Sequence, residues 1–73
     1  MKTETFYTKG KQDCNAAIEV TVHDKGAVAS AELDHITRIQ LLTALQDQYP
    51  AYNWSARDNK YSGYWTASGR SIR

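Results

Sequence analysis

The sequence predicts a small two-layer α+β domain: an antiparallel sheet of four or five strands, built from two hairpins, with one amphipathic helix packed on one face. Three observations carry that reading. Residues 17–33 alternate apolar and polar about a glycine turn. Residues 37–49 open with a helix start signal and continue with helical spacing. Residues 52–67 alternate again, with aromatic residues in place of aliphatic ones. Alternation of period 2 marks a half-buried strand, and recurrence near 3.6 marks a helix.

Thr3 to Lys9 is rich in β-branched and aromatic residues and reads as a short edge strand. Lys9 to Ala16 contains Gly10, Asp13 and Asn15 and reads as a loop. Ile18, Val20 and Val22 then point one way, while Glu19, Thr21 and His23 point the other. Asp24-Lys25-Gly26 supplies a turn. Ala27, Ala29, Ala31 and Leu33 alternate with Val28, Ser30 and Glu32, which closes a first hairpin. Its row of small alanines lets a helix approach the sheet closely.

Thr37-Arg38-Ile39-Gln40 fits the capping box, in which Thr accepts a backbone N–H and Gln reaches back to the cap. Ile36 and Leu41 occupy the positions of a hydrophobic staple. Ile39, Leu41, Leu42, Leu45 and Tyr49 are expected on the core side of the helix, with Gln40, Thr43, Ala44, Asp47 and Gln48 opposite. Pro50 ends the helix, because the residue before a proline avoids the α region. A start at Asp34, about one turn earlier, is the alternative.

Tyr52, Trp54 and Ala56 alternate with Asn53, Ser55 and Arg57. Asp58-Asn59-Lys60 reads as a turn. Tyr61, Gly63, Trp65 and Ala67 then alternate with Ser62, Tyr64 and Thr66, which gives a second hairpin. Residues 68–73 are expected to be a frayed tail. The element order is β-β-β-α-β-β, or β-β-α-β-β without the first strand.

With 73 residues the chain has room for one domain. A domain this short spends most of its apolar side chains on cohesion, so a shallow surface site or a subunit interface is the expected way to act. The formal net charge is +1. No global field draws the chain to DNA or to an anionic membrane. The single cysteine, Cys14, has no intrachain partner, whereas small secreted domains usually carry several disulfides. A cytoplasmic location is therefore expected. The polar N-terminal stretch lacks the apolar core of a signal peptide, and no stretch approaches the ~20 apolar residues of a membrane span. The start at Met1 is expected to be that of a natural small protein, of a kind common in bacteria and their phages.

Nucleophilic chemistry would fall to Cys14, His23 and His35, but no local signature surrounds the cysteine. Cys14, His23, Asp34 and His35 are scattered, without the close spacings of a metal site. Gly10, Gly26, Gly63 and Gly69 are too dispersed to form a phosphate-cradling loop. Asp24, Glu32 and Asp34 read as a solvated hairpin edge. No catalytic residue, metal ligand or cofactor is assigned.

The C-terminal third is the one biased region. Arg57, Lys60, Arg70 and Arg73 stand against Asp58 alone, interleaved with Tyr52, Trp54, Tyr61, Tyr64 and Trp65. Tyr52, Trp54, Tyr61 and Trp65 have a structural reading as the core of the hairpin, because a chain with one Phe needs large residues there. Tyr64, on the other face, is expected to be the most exposed ring. Tyr, Trp and Arg are also the residues enriched at protein interfaces. Arg57, Lys60, Tyr61, Tyr64, Trp65 and Arg70 are accordingly the expected partner-facing set.

The expected function is that of a small non-enzymatic regulator or inhibitor of a larger protein, encoded by a bacterium or a mobile element. Free sheet edges add the expectation of a homodimer. The alternative is a nucleic-acid-binding module using Arg57, Lys60, Tyr64 and Arg70, since bases stack on rings while cations meet phosphates. Dedicated nucleic-acid binders of this size are usually clearly basic, so the near-neutral charge ranks this reading second.

Overall fold

A computed structural model describes residues 1–59 and 61–72. The alternating stretches form five strands: β1 (Lys2–Lys9), β2 (Asn15–His23), β3 (Gly26–Glu32), β4 (Tyr52–Asn59) and β5 (Tyr64–Ser71). One helix, α1 (Arg38–Gln48), lies between β3 and β4 in the chain. The fold is the small α+β domain the sequence predicts, with all five strands in one antiparallel sheet and the helix on one face.

The strand order is β1-β2-β3-β5-β4. β1, β2 and β3 form a meander. After β3 the chain crosses by way of α1 to the far edge, lays down β4, and returns along β5 into the gap between β3 and β4. The second hairpin is therefore docked on the first through β5, and β1 and β4 are the two edges.

The helix begins where its side chains dictate. Thr37 Oγ1 accepts from Gln40 N at 3.2 Å, and Gln40 Oε1 accepts from Thr37 N at 3.0 Å. Both halves of the capping box are thus present, and the start at Asp34 is excluded. Gln40 does more than cap: its Nε2 donates to Gly10 O at 3.2 Å, which ties the helix start to the loop after β1. The same loop is fastened by Lys11 N to His35 O at 2.8 Å.

The core lies between the helix and the sheet. Ile18 and Val20 of β2, Ala27, Ala29 and Ala31 of β3, Ala67 of β5, and Ile36, Leu41 and Leu45 are buried together with Trp54. Burying a large aliphatic side chain is worth roughly 1.5–3 kcal/mol, so the four residues Ile18, Ile36, Leu41 and Leu45 dominate cohesion. The alanines of β3 are buried on the sheet side of this interface, while the helix makes its main strand contacts with β4.

Four expectations are corrected. Ile39 is 77% exposed, because it lies about 120° around the helix from Leu45, beyond the edge of the buried stripe. The loop 9–16 is shorter than expected, because β2 begins at Asn15 and Ala16 is fully buried. The second turn falls later than Asp58-Asn59-Lys60: β4 runs through Asn59, and β5 starts only at Tyr64.

The fourth correction concerns the tail, since residues 68–71 belong to β5, with Ser68, Gly69 and Arg70 paired to both β3 and β4 and Ser71 to β4. Gly69 sits directly opposite Trp54, and the indole lies flat over it. A side chain at 69 would occupy the ring's place, so the glycine that looks like a tail residue is a seat for the tryptophan.

Candidate functional site

The two tryptophans of the second hairpin are committed to the fold. Trp54 Nε1 donates to Tyr49 O at 3.1 Å, at the C-terminal end of α1. Trp65 Nε1 donates to Ile36 O at 2.9 Å, just before the helix cap. The two indoles thus pin opposite ends of the same helix to the hairpin. Trp65 is half-buried on the helix side, so its expected partner-facing role is corrected to an anchoring one. Tyr52 packs beside Trp54, with ring centroids 5.7 Å apart, as the structural reading of these rings anticipates.

The opposite side of the sheet has no layer over it, and its composition follows from register. One row runs Thr5, Glu19, Ser30, Thr66, Arg57 across all five strands. The next runs Thr3, Thr21, Val28, Ser68, Ser55, with the hydroxyls of Thr3 and Thr21 3.0 Å apart. A third runs His23, Gly26, Arg70, Asn53, and at the opposite end Tyr7 pairs with Ala17, and Tyr64 lies between Glu32 and Asn59. Hydroxylated side chains predominate in the two middle rows of this face, with Glu19, Val28 and Arg57 among them.

The end near the β4–β5 turn gathers three of the expected residues. Asn59 pairs with Tyr64, and Arg57 pairs with Thr66. Arg57 and Tyr64 are therefore diagonal neighbours, roughly 7–8 Å apart at Cα. Arg57, Asn59, Tyr61 and Thr66 line one shallow depression with Asp58.

The turn that carries Tyr61 is held by its own bonds. Asn59 Oδ1 accepts from Tyr61 N at 3.2 Å and from Ser62 N at 3.3 Å, and Gly63 N donates to Asn59 O at 2.9 Å. Gly63 adopts φ 75°, a left-handed value that favours glycine. Leu33 N donates to Gly63 O at 3.0 Å, which fastens the tip to the segment after β3. On this framework the Tyr61 side chain is fully exposed, against 43% for Tyr64. Tyr61 is thus neither a core ring nor the lesser of the two exposed ones, which corrects both expectations.

Arg70 is not part of this group. It lies six residues along β5 from Tyr64, about 20 Å away. It joins instead His23 and Lys25, around a depression that also takes in Asn53, Ser55 and Ser68. Gly26, between His23 and Arg70 in its row, leaves a gap there. His23 and Lys25 were not singled out from the sequence as partner-facing; only strand order brings them beside Arg70. Lys60 lies outside the described residues.

The remaining candidates are placed as follows. Cys14 is exposed. No hydrogen bond joins it to a histidine among the described residues: His35 Nδ1 pairs with Glu32 Oε2 at 3.0 Å, and His23 is at the far end of β2. Among the described residues no group of three or more His, Cys, Asp or Glu is placed to hold a metal ion. Among the described residues no helix is long and apolar enough to cross a membrane.

A polar cluster at the other edge was not anticipated. Glu4 of β1 points to the helix side, pairs with Lys2 Nζ at 3.0 Å and accepts from Tyr49 Oη at 3.0 Å. The Lys2 bond, with help from Tyr49, holds the Glu4 carboxyl below its ordinary range. Burial, then the Glu4 contact, pushes the Tyr49 phenol up. Tyr49 also lies 6.2 Å from both Phe6 of β1 and Trp54 of β4, so one residue links the two edge strands beneath the helix.

Comparison with family models, with curated proteins and with solved structures finds no match to this chain.

Proposed function

We propose that this chain is a small protein-binding module, acting as a regulator or inhibitor that engages a larger protein with the tip and open side of the β4–β5 hairpin. The observation that carries this reading is Tyr61: a fully exposed aromatic side chain held out by a turn in which three backbone N–H groups bond to Asn59. Fixing the backbone under the ring in advance lowers the entropy lost on binding. Tyr and Arg are the side chains that most often anchor interfaces, and Arg57 lines the same depression as Tyr61, with Tyr64 diagonal to Arg57 across the β4–β5 pair. The hydroxyl-rich middle of the open face supplies a surface against which a partner can close.

The test is affinity capture from cells of the source organism with two baits in parallel, the native protein and the Tyr61→Ala/Tyr64→Ala double variant. A partner retained by the first and lost by the second supports the reading. A partner held equally by both overturns it.

A second reading is favoured by charge placement. The open side of β4 and β5 carries Arg57 and Arg70 and no acidic residue, and His23 and Lys25 extend it. This is a short track for a phosphate backbone, with Tyr64 available to stack on a base. Titration with single- and double-stranded oligonucleotides at two salt concentrations decides it. Binding that weakens with salt and with Arg57→Ala or Arg70→Ala supports nucleic acid as the partner. No binding at low salt removes it.

A further inference from the structure

The edge strand β4 is the least defended part of the sheet. The phase of its ladder follows from two bonds. Ile72 N donates to Ala51 O at 3.1 Å, in line with the β4–β5 register, so Ala51 and Ile72 form a hydrogen-bonded pair. Such pairs alternate with non-bonded ones in an antiparallel ladder. Asn53, Ser55 and Arg57 therefore turn their backbone groups to β5, and Trp54, Ala56 and Asp58 turn theirs outward. The Leu33 N to Gly63 O bond sets the β3–β5 phase independently and gives the same result, since it leaves Thr66, Ser68 and Arg70 to bond β4.

Two features distinguish this edge from β1. First, β1 carries charge at both ends, with Lys2 and Glu4 at one and Lys9 at the other, whereas β4 is uncharged from Tyr52 through Ala56 and charged only at Arg57 and Asp58. Second, α1 packs most closely against β4, and between them Leu42, Thr43, Gln46 and Trp54 line a depression beside the edge. A free strand edge next to a helix, with a partly apolar groove between, is an arrangement into which an extended peptide fits.

We infer that β4 receives an extended segment of the partner protein as a sixth strand. One side chain of that segment is apolar and enters the Leu42–Trp54 groove, and the side chains on the open side near Arg57 are acidic. The acid preference follows from the open side of β4 and β5, whose charged side chains are Arg57 and Arg70; Asp58 borders the same depression as Arg57 but alternates to the helix side. It also argues against a second copy of this chain as the occupant, because pairing β4 with itself brings two such cationic surfaces together. The inference rests on the protein-binding reading but does not use Tyr61. Failure here leaves the tip experiment standing, and failure there leaves this one interpretable.

The probe is a displayed library of random peptides as long as β4, 8 residues, selected on the full chain. The expected consensus alternates apolar with acidic positions. In amide-resolved NMR of the complex the selected peptide slows exchange at Trp54, Ala56 and Asp58. Ala56→Pro deletes an outward N–H without touching the β5 ladder, so it is expected to weaken the peptide about tenfold while the native fold persists. Arg57→Glu is a second variant that tests charge alone and is expected to lower the affinity of acidic peptides at least as much. Four outcomes overturn the inference: no peptide selected, a basic consensus, perturbation centred on β1, or a dimer by light scattering whose Trp54, Ala56 and Asp58 amides are protected without peptide.

Discussion

The two sides of the β4–β5 hairpin use the same kinds of residue for opposite ends. On the helix side, Trp54 and Trp65 bury their rings and spend their N–H groups on the two ends of α1. On the open side and at the tip, Tyr64 and Tyr61 present their rings to water, and Arg57 lines the depression beside Tyr61. Alternation along one strand separates these roles by a single residue, as Tyr64 and Trp65 show. A residue type therefore says little here about role, and its register says nearly everything. The comparison predicts that substitutions on the helix side act on stability and those on the open side act on binding.

The largest effect is expected at Trp54. Trp54→Ala removes a buried ring from the core and leaves Gly69 uncovered, a loss of about 3–5 kcal/mol. Small domains have only ~5–15 kcal/mol in total, so urea denaturation should show a protein that is largely unfolded or close to it. Trp54→Phe keeps most of the apolar contact and loses the bond to Tyr49 O, and should lose only about 1–2 kcal/mol. Equal effects of the two substitutions would mean that the indole N–H, and not the ring, holds this end of the helix.

Gly69→Ala sharpens the same point from the other strand. A Cβ at 69 falls 2.8 Å from the Trp54 ring, so either the indole or the strand must shift. Overpacking of this kind is worth roughly 1–3 kcal/mol against the fold. The same change at Gly63, where nothing lies within 4 Å of the added carbon, meets only the φ of 75°. A thermal melt in which Gly69→Ala is no worse than Ser68→Ala would show that the end of β5 is frayed after all.

The difference between what was legible and what was not follows the same division. The Thr37–Gln40 cap and the alternation of Ile18, Val20, Ala27 and Ala29 were readable because their causes lie within a few residues. The last residues of β5 were not, because Gly69 is held in strand by a ring fifteen positions earlier in the chain. Tyr61 was misplaced because counting alternation backward from Trp65 carried the strand through a turn. That turn is set by Asn59 Oδ1 and Gly63, whose bonds propensity does not reveal. Of the expected site, Arg57 and Tyr61 line one depression and Tyr64 lies diagonal to Arg57, whereas Arg70 is at the other end of β5. Its neighbours His23 and Lys25 come from another hairpin, and no local pattern announces that β5 lies beside β3.

A smaller effect tests whether the β1 edge takes part in cohesion as the helix side of β4 does. The folded Glu4 carboxyl is held below its ordinary value of 4.5, chiefly by Lys2 and then by Tyr49. Its contribution is therefore complete above the ordinary carboxylate range and is lost as pH falls through and below it. Tyr49, raised above 10.0 first by burial, contributes below that value and loses its contribution as pH rises beyond it. The bond between them is thus intact through the neutral range and is lost at both ends. Urea midpoints of native protein and Glu4→Gln should differ slightly at pH 7 and converge below about pH 4. The groups are at the surface, so the difference is small. A gap that persists at pH 3 would assign the effect to packing instead of charge.

The smallest expected change in stability is at Tyr61, and it is the one on which the comparison turns. Its ring touches little of the fold, and the bonds that shape the turn come from Asn59 and from backbone N–H groups that alanine retains. Tyr61→Ala should therefore leave the denaturation midpoint within about 0.5 kcal/mol of the native protein. Removing an anchoring ring from an interface typically weakens binding by 2 kcal/mol or more, about thirtyfold. The same variant should thus be nearly silent in a melt and conspicuous in capture of a partner. If Tyr61→Ala destabilised the domain as much as Trp54→Phe, the ring at the tip would be serving cohesion, and the division of labour between the two sides of the hairpin would fail at the residue that best displays it.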